Sequence, residues 1–174
     1  GENLDPKLVS KGKREEMAFF DSKTVWKVVP RSEARGKRVV GTRWVCTNKG
    51  DTANPDVRCR LVCQEVKTYG TEEFYAATPP LEALRMILRF VAEAPALQVS
   101  LVDISRAYFN AMIEREVFVE LPPEAGYGRG HVRRLVKCRY GTRDAAQGWE
   151  GTYQRALEQL GFKRGRSSPC VFLN

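Results

Sequence analysis

An apolar run from Leu97 to Val102 ends in a single carboxylate, Asp103, and an aromatic pair, Tyr108 and Phe109, follows closely. The run is far short of the ~20 apolar residues that a membrane span needs. It reads as a buried strand from Leu97 to Asp103, leading into a helix from Ser105 to Met112. A carboxylate at the end of such a strand, with a tyrosine five residues on, suits a metal ion facing a nucleotide. The alternative for Asp103 is to cap the following helix, and spacing leaves both roles open. Two-metal phosphoryl chemistry needs more than one carboxylate. Asp144, Glu150 and Glu158 belong to an expected helix and are poor partners for Asp103.

A chain of 174 residues can build one core-bearing domain, or two small lobes that share a core. The net charge of +8 is grouped. From Arg31 to Arg60 eight Lys and Arg residues face only Glu33, Asp51 and Asp56. Six more lie from Arg129 to Arg143 with no acid among them, and Lys163, Arg164 and Arg166 form a third group. Grouped like charges repel, so they point to a polyanion, and nucleic acid is the commonest. A solvated, solubilising surface is the other reading. The N-terminus begins with Gly and has no apolar segment of the kind that leads secretion, so the chain is expected to be processed or a fragment. Five cysteines, an odd number, argue against a disulfide framework and for a reducing compartment, cytoplasmic or nuclear. Cys59 and Cys63 are expected to share one face of a strand. With His131 as the single histidine, buried thiols are favoured over a zinc site.

Periodicity and turn residues set out the elements. A helix is expected from Lys7 to Phe20, weakened by Gly12, and a short strand from Val25 to Val29. Arg38 to Thr47 and Val57 to Lys67 read as a long basic hairpin around the turn residues Asn48 to Asp56. Leu81, Leu84, Ile87, Leu88 and Val91 recur at helical spacing, with Pro95 as the stop, and their stripe reads as core. Glu116 to Leu121 and Val132 to Cys138 read as strands. Asp144 is placed to cap a helix that closes at Gly161, and Gly148 and Gly151 within it suggest a close approach by another group. A last strand is expected from Pro169 to Leu173.

Seven blocks, in order, resemble the amino-terminal part of copia-type retrotransposon reverse transcriptases. Val25-Trp26-Lys27-Val28-Val29-Pro30 resembles the family's Trp-x-Leu-Val-Pro opening. Val39-Val40-Gly41-Thr42-Arg43-Trp44-Val45 and Arg58-Cys59-Arg60-Leu61-Val62 resemble its two following strands. Val102-Asp103-Ile104-Ser105-Arg106-Ala107-Tyr108 resembles its first catalytic motif. Val117-Phe118-Val119 with Leu121-Pro122-Pro123, the stretch Tyr140 to Trp149, and Leu160-Gly161-Phe162 with Ser168 to Phe172 complete the series. Ala146, Gln147 and Gln64 depart from the family's Pro, Arg and Lys.

The resemblance implies an α+β fingers-and-palm polymerase fold with an incomplete palm. Residues 1–96 would be the fingers region with its N-terminal helix and basic β-hairpin, and 97–174 a partial palm. It implies Arg58 or Arg60 on the incoming triphosphate, since a guanidinium pairs two phosphate oxygens at once. It implies Mg²⁺ held by Asp103, with the Ile104 carbonyl as a second ligand. It implies Tyr108 beneath the sugar, and Gly141 and Arg143 along the nucleotide pocket and template. The structural alternatives are a solvated charge for each arginine, core packing for Tyr108 and a tight turn for Gly141. The partners implied are an RNA template, a DNA primer and deoxynucleoside triphosphates, with no membrane. The family's Tyr-x-Asp-Asp hairpin, expected after Val171, is not in the sequence, so this chain is expected to be inactive alone. A non-catalytic nucleic-acid-binding module that stacks bases on Phe118, Tyr108 and Trp149, or an inert transposon remnant, are the other readings.

Overall fold

Helix α1 (Pro6–Ser22) starts where the Asp5 carboxylate accepts the Lys7 amide at 2.7 Å, with Pro6 in the first turn, where no donor is needed. The computed structural model describes residues 4–66, 73–94, 96–128 and 130–174. Gly12, Glu16 and Phe20, four apart, form the buried face of α1. A Cβ at Gly12 would lie 3.0 Å from the Val57 carbonyl oxygen, so glycine permits a close helix-to-strand approach that offsets its ~1 kcal/mol helix penalty.

Strand β1 (Trp26–Pro30) follows, then one turn of 3₁₀ helix (Arg31–Ala34) and β2 (Val39–Val40). After Gly41 the chain leaves that sheet and enters the expected hairpin, β3 (Thr42–Asn48) and β4 (Val57–Cys63), with Thr42 opposite Cys63 and Asn48 opposite Val57. Asn48 Oδ1 accepts the amides of Gly50 and Asp56 at 3.0 and 2.9 Å, and Asp51 Oδ1 accepts the Asn54 amide at 2.6 Å. Beyond α2 (Leu81–Glu93) come β5 (Phe118–Val119) and β6 (His131–Leu135). The four-stranded sheet runs β1-β6-β5-β2, antiparallel except for the β2–β5 pair. It draws strands from both sides of residue 96. Helix α3 (Ala145–Gln159) and a small hairpin of β7 (Lys163–Arg164) and β8 (Phe172–Leu173) complete the described elements. Phe20 is the hub of the core, with ring centroids 4.8 Å from Trp26 and 5.3 Å from Phe109.

Four expectations change. The segment from Leu97 to Asp103 forms no strand: Leu101 is 93% exposed and Val102 82%. Helix α2 forms where its periodicity places it, yet none of its residues is buried. A strand exists only through a paired neighbour, and among the described residues 97–102 have none; Leu84 and Ile87 of α2 instead border a hollow with Cys170, Val171 and Phe172. The helix expected from Ser105 shrinks to one 3₁₀ turn (Ala107–Asn110), because Arg106 adopts the left-handed conformation at φ 54°. Finally, Cys46 and Cys59 form a disulfide, against the expectation of free thiols. The β3–β4 register sets these residues directly opposite each other, with Cα atoms 4.1 Å apart, and Cys63, Cys138 and Cys170 remain free.

Other expectations hold in modified form. Cys59 and Cys63 do share one buried face of β4. The Gly148 position is closely approached, by the Cys138 side chain: a Cβ would lie 2.8 Å from its sulfur. Asp144 sits at the start of α3 but makes no capping bond; both its oxygens accept from Arg115 at 2.8 Å. Lys67, Pro95 and Arg129 lie outside the described residues.

Candidate nucleotide site

Between α1, β4 and the segment 103–108 lies a cleft of about 630 Å³, with Tyr140 and Trp149 on its far side. Five of the seven residues singled out from the sequence line it: Arg58, Arg60, Asp103, Ile104 and Tyr108. They come from segments more than forty residues apart, so only the fold brings them together. Strand alternation turns Cys59 and Leu61 into the core and Arg58 and Arg60 outward. Arg58 pairs with Asp56 at 2.9 Å, both largely exposed. The Arg60 guanidinium lies 5.2 Å from the Tyr140 ring centre, and Tyr108 meets the same ring edge-on at 5.1 Å. Tyr108 is half-buried: one part faces the cleft, and another packs on Ala111, Cys138 and Ala145.

Asp103 is exposed in the cleft. It does not cap the next helix, whose cap position is Arg106. Among the described residues no three Asp, Glu, His or Cys side chains gather as a metal site. Glu15, Glu16 and Asp56 also line the cleft, but they pair with Lys11, Arg106 and Arg58, and among the described residues they do not gather with Asp103 into the two-ion centre of phosphoryl transfer.

Gly141 and Arg143 stand apart from the cleft lining. Gly141 has φ +82°, and a Cβ there would fall 1.9 Å from the Cys63 carbonyl oxygen, so the turn must be glycine. The Arg143 amide donates to Glu65 at 2.9 Å, and its guanidinium lies 5.2 Å from the Phe74 ring centre. Below that turn the Arg115 guanidinium joins Glu65 to Asp144.

Sequence reading missed three buried charges, of which Glu16 lines the cleft. Glu16, only 2% exposed, pairs with Arg106 at 3.0 Å. Burial pushes its carboxyl above the usual range, against the pull of Arg106, Arg139 and Arg60. Arg139 is fully buried, donates to the Leu61 carbonyl at 2.6 Å and lies over Phe20 and Trp26. The signal for Glu16 was available: it lies midway between Gly12 and Phe20 on one helix face. No such signal marked Arg139 or Arg133. Arg133 is also buried, stacks 3.6 Å from the Trp26 ring centre, and is pushed down to about 10 by burial. The 129–143 basic group is thus not one polyanion surface, because two of its arginines point inward.

The family model described as "Reverse transcriptase (RNA-dependent DNA polymerase)" matches residues 23–174. The chain is 25% identical over 169 residues to the Retrovirus-related Pol polyprotein from transposon TNT 1-94 of Nicotiana tabacum, covering 93% of this chain and 12% of that protein. It is 29% identical over 153 residues to the Transposon Ty1-LR3 Gag-Pol polyprotein of Saccharomyces cerevisiae, covering 85% of this chain and 8% of that one. The chain therefore spans about a tenth of the length of these relatives. No solved structure matches it.

Proposed function

The chain belongs to the copia-type reverse transcriptase family, and on that premise we propose that its cleft is the deoxynucleotide site of an RNA-directed DNA polymerase with a fingers-and-palm fold. One observation carries this reading: Arg58, Arg60, Asp103, Ile104 and Tyr108, scattered in sequence, line a single hollow. In the proposed arrangement the β3–β4 hairpin is the basic finger. Arg60, and Arg58 once released from Asp56, grip the triphosphate as bidentate donors. Tyr108 lies beneath the sugar, where its ring leaves no room for a 2′-hydroxyl. Asp103, with the Ile104 carbonyl, offers ligands to a divalent ion, Mg²⁺ in this proposal, whose positive charge offsets that of the phosphates. Gly141 shapes the turn that carries Arg143 toward the template side.

In the lineage reaction, the 3′-hydroxyl of a DNA primer on an RNA template attacks the α-phosphate of a deoxynucleoside triphosphate, and pyrophosphate leaves. No step through a metal pair is assigned to this chain, because among the described residues no cluster of carboxylates gathers around Asp103 as a metal site. The binding-module reading is weakened by Phe118, which is 1% exposed and unavailable for stacking a base.

Binding of fluorescent dTTP, followed by anisotropy, tests the proposal. Arg60→Ala is expected to weaken it about tenfold, and Tyr108→Ala to narrow the preference for dTTP over UTP. Equal affinity in the native chain and Arg60→Ala would sink the assignment of this cleft.

A further inference from the structure

Resting on the nucleotide reading of the cleft, we propose that Glu16 is a positioning residue that, through Arg106, sets where Asp103 and Tyr108 stand. Arg106 holds φ 54° and ψ 42°, a left-handed conformation that a side chain with a Cβ adopts only when its surroundings over-determine it. Those surroundings come from α1. Glu16 Oε2 takes the Arg106 Nη2 at 3.0 Å, and the Phe19 ring centre lies 3.8 Å from the guanidinium carbon. Glu16 and Phe19 are three apart, so one helical turn presents a carboxylate and an aromatic face side by side. The guanidinium is flat enough to use both at once.

The reversal at Arg106 has consequences on either side. Three residues earlier is Asp103, exposed in the cleft; two residues later is Tyr108. The Phe109 amide closes on the Arg106 carbonyl at 3.0 Å, and the Phe109 ring, 2% exposed, is fixed 5.3 Å from Phe20. The segment is therefore pinned at Arg106 and Phe109, and the groups facing the cleft sit on either side of the first pin. Glu16 lies in the wall of the cleft but is only 2% exposed, and the partner its Oε2 meets is Arg106.

Amide hydrogen exchange and dTTP binding, on the whole chain, test this together. Glu16→Gln is expected to speed exchange at amides 107–111 by about tenfold, while the β1–β6 amides stay within about twofold. It is expected to weaken dTTP by about tenfold. Arg106→Gly adopts the left-handed turn without a clamp. In that background, adding Glu16→Gln should change neither quantity beyond about twofold. A carboxylate that served only α1 stability would loosen α1 and β4 equally in both backgrounds. That result, or unchanged exchange at 107–111 in Glu16→Gln, overturns the proposal. If Glu16→Gln does not fold, Arg106→Lys takes its place: it keeps the charge, loses the flat contact with Phe19, and is expected to speed exchange at the same amides. If the native chain binds no dTTP, the nucleotide reading falls, and exchange in the two backgrounds still decides on the clamp.

Discussion

Arg115 grips both oxygens of Glu65, with Nη1 to Oε1 at 2.6 Å and Nη2 to Oε2 at 2.5 Å. Its Nε and Nη2 also reach Asp144, so one guanidinium ties the end of the β4 strand to the start of α3. Glu65 and Asp144 are 9% and 11% exposed, and Arg115 28%. Replacing Arg115 with Met leaves two carboxylates facing each other with little water. Breaking a fully buried pair costs ~3–5 kcal/mol, and partial exposure lowers that to about 2–4 kcal/mol here. Urea denaturation of Arg115→Met checks it; a loss under about 1 kcal/mol would mean the triad contributes little.

The same triad sets an acid limb. Burial opposes ionisation of Glu65, but bonds from Arg115 and the Arg143 amide outweigh it and hold the carboxyl below its ordinary range. The unfolded state then binds more protons than the folded one as pH falls below the ordinary carboxylate value. The stability Glu65 contributes is present above that value and is lost as pH falls through its folded one. Glu16 has the opposite sign, because burial raises its carboxyl against Arg106, Arg139 and Arg60. Its contribution is fully present below the ordinary value and fades as pH rises through the raised one. Glu65→Gln is expected to flatten the stability curve below about pH 4.5, and Glu16→Gln to flatten it above that point. Denaturation midpoints across that range measure both.

The Cys46–Cys59 disulfide closes a short loop, with a sequence separation of 13. A loop of this size is worth about 3 kcal/mol through the unfolded state. Alkylation of the unreduced, denatured chain should label three cysteines of five, with Cys46 and Cys59 joined in the peptide map. Reduction should then lower the melting temperature, and Cys46→Ser should remove that sensitivity.

Gly141→Ala places a Cβ against the Cys63 carbonyl in a left-handed backbone. A loss of about 3 kcal/mol or more is expected, or failure to fold. Gly128→Ala is the control, because nothing lies within 4 Å of its Cβ position, and it should stay within about 0.5 kcal/mol. Thermal melts of the pair decide it.

Leu84 and Phe90 on α2 are 51% and 58% exposed, and Met86, Ile87 and Leu88 on the same helix are exposed as well. An open apolar patch of this kind promotes self-association. The double change Leu84→Glu and Phe90→Glu is expected to raise the concentration at which light scattering begins, with stability held within about 1 kcal/mol. A large loss of stability would mean that the face is covered in solution.

What could be read from the residues was local. Four-residue spacing and turn residues are written in neighbouring positions, so α1, the β3–β4 hairpin, β6 and α3 were legible, whereas Arg58, Arg60 and Tyr108 were singled out only through the family resemblance. Burial and pairing were not legible, because they depend on what another part of the chain presents. Apolar periodicity marked α2 but could not say whether a sheet face would meet it, and the segment from Leu97 to Val102 had the residues of a strand without a ladder to join. Register, a property of two strands at once, set Cys46 against Cys59. The tertiary structure alone turned Arg133 and Arg139 inward onto Trp26, where aromatic faces offset part of the lost hydration, and placed Glu16 against Arg106.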